Sequence, residues 1–118
     1  MAKLNDQELH NLAMNIVGKD LEEKGYEFLG VNSEIQKDPQ FVALKDKKLH
    51  FVIVRAIEYP HDPKILEGQF LQTIKDHALK FKARTFYAGV GLANSEDYEK
   101  PVSHGEAYVV NYDGWQEI

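Results

Sequence analysis

Apolar residues recur along this chain with two different periods. From Leu9, the positions Leu12, Ala13, Ile16, Val17 and Leu21 follow at spacings of three and four, which gathers them on one face of a helix. Asn5 stands before this run with Glu8 three residues on. That is the spacing of a capping box, in which side chain and main chain at a helix start exchange hydrogen bonds. Gly25 supplies the residue that ends many helices, because it enters the left-handed conformation without a Cβ penalty. The period then changes. Tyr26 to Val31 reads as a strand rich in aromatic and β-branched residues, and Phe41 to Leu44 as a second, with Lys45-Asp46-Lys47-Lys48 as its polar turn. Leu49 to Ile57 is the third. It carries Phe51, Ile53 and Ile57 on one parity and Val52, Val54 and Ala56 on the other, the pattern of a strand buried on both faces and therefore central.

A second helix is predicted to start at Asp62-Pro63, an N-cap followed by proline at the first helical position. Its buried stripe is Ile65, Leu66, Gln69, Phe70, Thr73, Ile74, Ala78 and Phe81, and its end falls near Ala83. Thr85 to Ala93 reads as a fourth strand, and Asn94 to Gly105 as a polar, acidic loop containing Pro101. Ala107 to Tyr112 is the last clear strand. Asp113-Gly114 has the chemistry of a two-residue hairpin turn, after which Trp115 to Ile118 is expected to return antiparallel. The order is α-β-β-β-α-β-β with no repeat or linker. It predicts one α/β (α+β) domain over residues 1–118, with a mixed central sheet of about five strands flanked by two helices that bury their stripes against it.

Composition narrows the chemistry. The absence of cysteine excludes disulfides, thiolate metal sites and cysteine nucleophiles. Met1 to Gln7 has no signal-peptide apolar region, and no apolar stretch approaches the ~20 residues of a membrane helix. A cytoplasmic protein without a membrane partner is expected. The net charge of -5 argues against a wholly basic nucleic-acid-binding surface but leaves room for a local one.

The three-strand meander before the second helix resembles the common core of the PD-(D/E)xK nuclease superfamily, the restriction-endonuclease-like fold. Leu21-Glu22-Glu23-Lys24-Gly25-Tyr26-Glu27-Phe28-Leu29 resembles the helix-to-strand junction of its small YraN-type bacterial family. Phe41 to Asp46 followed by Leu49 to Arg55 resembles that family's metal-site hairpin, and the likeness extends over roughly residues 14 to 112. The resemblance implies an Asp and a Glu on adjacent strands holding Mg²⁺ beside a phosphate, with a Lys two residues after the Glu on the same strand face.

Here those positions hold Gln40, Ile53 and Arg55, and the helical Glu of the pattern falls near Met14 or Asn15. Isoleucine cannot ligate a metal, and a guanidinium does not give up its proton to act as a base. A degenerate site, no cofactor and no enzyme activity are therefore expected. The leading expectation is an interaction or assembly module with a protein partner or a second copy of itself, using late strands that end in Trp115 and Ile118.

Two alternatives stand beside it. One is nucleic-acid binding without cleavage through Arg55, Lys80, Lys82 and Arg84. The other is an Mg²⁺ site relocated to Asp38, with Glu34 or Glu58 nearby. Arg55, a charge in an apolar strand, calls for a partner, with Asp38, Glu34 or Glu58 as internal candidates. The five histidines form no metal motif; His104 with Glu106 is a candidate acid–base pair. Gly89-Val90-Gly91 suggests close packing in the fourth strand rather than a dinucleotide loop.

Overall fold

The computed structural model describes residues 2–35, 37–66 and 71–118. Helix α1 spans Asp6–Glu23. The Asn5 side chain accepts from the Glu8 amide at 2.8 Å and the Glu8 carboxylate accepts from the Asn5 amide at 3.0 Å, so the capping box is complete. At its other end Gly25 adopts φ 84°. The Gly25 and Tyr26 amides donate back to the carbonyls of Glu22 and Leu21, turning the chain into the sheet.

Strands β1 (Glu27–Val31), β2 (Phe41–Lys45) and β3 (Lys48–Glu58) form an antiparallel meander. The turn between β2 and β3 places Asp46 and Lys47 at φ 53° and 64°, the double left-handed geometry that matches strand twist. Helix α2 (Leu71–Lys80) then precedes β4 (Arg84–Asn94), which runs parallel to β3 from His50↔Arg84 to Glu58↔Leu92. Strands β5 (Tyr108–Asn111) and β6 (Gln116–Glu117) are both antiparallel to β4. The result is a mixed six-stranded sheet in the order β1-β2-β3-β4-β5, with β6 beside β4.

The two parities of β3 separate as its sequence requires. Val52 and Val54 join Leu9, Ala13, Met14, Val17 and Leu21 of α1 in one core, completed by Phe86, Ala88, Val90 and Leu92 of β4. On the opposite face Phe51 packs with Ala78, and Ile53 with Ile74 and Tyr87.

Two elements depart from expectation. The second helix does not begin at Asp62-Pro63; residues 62–66 form a turn in which the Asp62 carboxylate accepts from the Lys64 amide. The buried Tyr87 hydroxyl donates to the Pro63 carbonyl at 2.7 Å. Leaving that hydroxyl without an acceptor would cost ~1–3 kcal/mol, more than a terminal helical turn yields. Ile65, Thr73 and Phe81, expected in the buried stripe, are exposed, while Ile74 and Ala78 are buried as expected. Gln69 and Phe70 lie outside the described residues.

The second departure is at the end of the chain. Trp115 to Ile118 does not fold back along β5: β6 continues in the direction of β5 and pairs with Phe86 and Tyr87 of β4. Between the pairs Gly91↔Asn111 and Tyr87↔Gln116 the late chain uses one residue more than β4 does, and Gly114 takes φ 87° in this bulge. The Tyr112 hydroxyl donates to Asp20 of α1 at 2.8 Å. Trp115 meets Tyr26 edge-on at 5.4 Å and lies under the Lys24 ammonium. Burying these two aromatic side chains outweighs the hairpin preference of Asp113-Gly114.

Gly89 is the tightest point of the sheet. A Cβ there would lie 1.8 Å from the Pro63 carbonyl oxygen and 2.5 Å from the Tyr87 hydroxyl. Gly89→Ala is expected to destabilise the protein by about 1–3 kcal/mol, as overpacking does, read as a lowered urea midpoint. Gly114→Ala, with open space around it, loses only the left-handed preference, about 1 kcal/mol.

Candidate functional site

β2 pairs with β3 as far as Phe41↔Val52, and beyond Val52 the edge of β3 needs other partners. Gln40 supplies the first. It is fully buried; its amide donates to the Val52 carbonyl at 3.0 Å, and its side-chain Oε1 accepts from the Val54 amide at 2.7 Å. Arg55 supplies the second by bending its Nη1 back to the Val54 carbonyl at 3.0 Å. The same guanidinium donates to both oxygens of Asp38, at 2.8 and 2.7 Å. This is a two-point fork with side chains only 12% and 8% exposed. Of the partners open to Arg55 in the sequence, Asp38 is therefore one that it takes.

Gln40, Ile53 and Arg55, the positions singled out by the resemblance, thus share one neighbourhood. Gln40 replaces a missing ladder partner, Ile53 is packed in the core against Ile74 and Tyr87, and Arg55 is locked to Asp38. These donors do not fit an Mg²⁺ site. Ile53 offers no oxygen, the Gln40 oxygen accepts from an amide, and a cation sits against both Asp38 oxygens. Among the described residues no three of His, Cys, Asp and Glu converge as a ligand set.

His10 of α1 completes this neighbourhood and was not singled out by sequence reasoning. It is almost fully buried, and its Nε2, like Nε2 of Gln40, has no hydrogen-bond partner among the described residues. It lines a cleft of about 200 Å³ with Asp6, Leu9, Ile35, Arg55 and Glu58. Burial, and then the charge of Arg55, hold its pKa below the ordinary value of 6.5, against the opposing pull of Asp38. A signal was present: His10 stands three and four residues before Ala13 and Met14, on the buried stripe. Burial likewise pushes the Tyr87 hydroxyl up to about 12, so it stays a donor to Pro63.

The residues considered for nucleic-acid contact do not form one group. Arg55 and Arg84 stand at different levels of the sheet, in register with Gly89 and His50 respectively. Arg84 forks onto Glu117 at 2.6 and 2.5 Å, which holds the Glu117 carboxyl below its usual range. Lys80 and Lys82 are exposed near the end of α2. His104 pairs with Glu8 at 2.9 Å; the Glu106 amide instead donates to the Ser103 carbonyl.

Residues 7–118 match the model of a family described as a domain of unknown function, DUF8840. The chain belongs to that family. No curated protein and no solved structure matches it. No helix among the described residues is long and apolar enough to cross a membrane.

Arg55→Leu and Asp38→Leu are each expected to cost about 3 kcal/mol or more, since each breaks a largely buried ion pair by removing one side of the two-point fork. The double variant should lose less than the sum, a coupling that a urea-unfolding double-mutant cycle measures. The His10 shift also fixes the sign of a pH effect. The unfolded chain protonates this imidazole near 6.5 while the native state resists, so stability present at neutral pH is lost as pH falls through that value toward the native pKa. His50, lowered chiefly by burial, acts in the same direction. His10→Gln should show a smaller drop in urea midpoint between neutral and mildly acidic pH than the wild-type protein.

Proposed function

We propose that this chain is a catalytically silent member of the restriction-endonuclease-like group that works as an interaction module, with two copies joined through β5. The fold half of this reading is supported by topology. An antiparallel three-strand meander, a helix, and then a strand parallel to the third make up the order that the superfamily resemblance implies. The silent half is supported by Gln40, Ile53 and Arg55, each of which is committed to the sheet edge or the core.

The observation that carries the interaction is the state of β5. It is the last strand in the sheet order, and Tyr108, Val109 and Val110 are 39%, 37% and 45% exposed. Both of its faces are open, and it contains no charge and no proline. Sheet edges are normally protected by such residues or by bulges. The opposite edge, β1, does carry a register irregularity, between Phe28 and Gly30; β5 pairs with β4 without one.

Beside β5 lies a cleft of about 440 Å³, lined by Ile57, Tyr59, Leu92, Tyr98 and Val110. The Tyr59 and Tyr98 rings meet edge-on at 5.4 Å, and tyrosine is among the side chains that anchor interfaces. An antiparallel β5–β5 pair is two-fold symmetric, so the same four residues serve both copies. That symmetry favours a second copy as the occupant. Trp115 and Ile118, by contrast, are partly buried against the core clusters and do not belong to this surface.

Sedimentation velocity across the micromolar range is expected to show a dimer. Val109→Lys combined with Val110→Lys should convert it to a monomer with an unchanged far-ultraviolet spectrum. A wild-type protein that stays monomeric throughout that range overturns the pairing. Cleavage of nucleic acid with Mg²⁺ or Mn²⁺ that disappears in Asp38→Asn overturns the silent half.

A further inference from the structure

Parallel pairing of β3 with β4 brings together cations that are far apart in sequence. Because His50 is in register with Arg84, the beginnings of both strands and the end of α2 share one end of the sheet. Lys47 and Lys48 reach it from the β2–β3 turn, and Lys80 and Lys82 from the exit of α2. Lys48 and Lys82 each stand two residues before that registered pair. All four are exposed, and among the described residues none of them makes an ion pair, whereas Lys24 is held by Asp20 and Arg84 by Glu117. Asp46 of the same turn and Asp76 of α2 are the acidic neighbours in sequence, and Asp76 accepts from Gln72.

Beside these lysines Phe81 is 54% exposed, yet it is held in place. Its ring meets that of His77 edge-on at 5.1 Å and lies 6.0 Å from that of Phe51. Glu27, in register with Leu44, and Glu117, which is held by Arg84, also lie at this end, while Glu58, Asp62, Glu96, Asp97 and Glu99 stand at or beyond the far ends of β3 and β4. Within a net charge of -5, this end therefore holds four exposed lysines that make no ion pair among the described residues.

We propose that this end binds single-stranded nucleic acid, with phosphates along Lys47, Lys48, Lys80 and Lys82 and a base stacked on Phe81. Fixed aromatic rings flanked by cations are how proteins hold unpaired strands. A lipid surface is the less suitable partner, because Phe81 is braced by its neighbours and, with Leu79, offers little apolar area for insertion. The site is separate from β5, which pairs with the far end of β4. It is also separate from the Asp38–Arg55 lock.

Fluorescence anisotropy of labelled single-stranded DNA and RNA, duplex DNA, and phosphatidylserine vesicles tests the proposal. Single strands are expected to bind at low salt, with a log–log salt slope of about −3 for four phosphate contacts. Lys80→Glu with Lys82→Glu, or Lys47→Glu with Lys48→Glu, should weaken binding about tenfold or more and flatten the slope. Phe81→Ala should weaken it about tenfold with the slope unchanged. Lys3→Glu, outside this end, should change affinity less than about twofold. The monomeric β5 variant should retain the slope, so this site and the β5 pairing fail or stand separately. No binding to single strands, binding indifferent to both lysine pairs, or a preference for vesicles or duplex would each overturn the proposal.

Discussion

Where β2 leaves β3, the amide and carbonyl of Val54 lose their strand partner inside a buried sheet. Unpaired main-chain groups in such a place cost as much as lost hydrogen bonds. The Gln40 oxygen takes the amide, the Arg55 guanidinium takes the carbonyl, and Asp38 neutralises and aims the guanidinium. Three side chains from two segments thereby finish the ladder. The rest of the architecture relies on this seal, because β3 is the strand on which both cores and both helices meet.

The same seal accounts for the character of the proposed nuclease-like relative. A metal-dependent phosphodiester site needs convergent oxygens facing an open groove. Here the equivalent neighbourhood spends its polar atoms on the backbone and on an internal ion pair, and its remaining position is an isoleucine in the core. The proposed functions accordingly lie elsewhere: on the uncharged edge at β5, and on the exposed lysines at the end where β3 and β4 begin. These surfaces sit at opposite ends of β4, so the two roles do not compete for residues.

The other face of the sheet has its own constraint. Tyr87 is buried with its hydroxyl, and the Pro63 carbonyl that satisfies it approaches β4 only because Gly89 lacks a side chain. This contact ties the chain after β3 down on the sheet as a turn and delays α2. A glycine read in sequence only as a site of close packing is thus coupled to the Pro63 turn more than twenty residues earlier.

Much of this was legible from residue order alone. The periods of three-to-four and of two located α1, the meander, the central strand and β4, because burial on one or both faces is written directly in side-chain polarity. The capping box at Asn5 and Glu8, and the stop at Gly25, were legible because local main-chain hydrogen bonding and the φ freedom of glycine need no distant partner. Arg55 announced a need for a carboxylate or phosphate partner, since a charge in an apolar strand must be compensated.

Tertiary structure decided which carboxylate it took, and that Gln40 would close the ladder. It also decided that His10 would be buried beside Arg55, that Asp62-Pro63 would form a turn, and that the last strand would run along β4. Each of these outcomes depends on a hydrogen-bond or packing partner in another element of the fold, fourteen or more residues away. Local propensity, worth about 1 kcal/mol or less, yields wherever such a contact buries an aromatic ring or satisfies a polar group cut off from water.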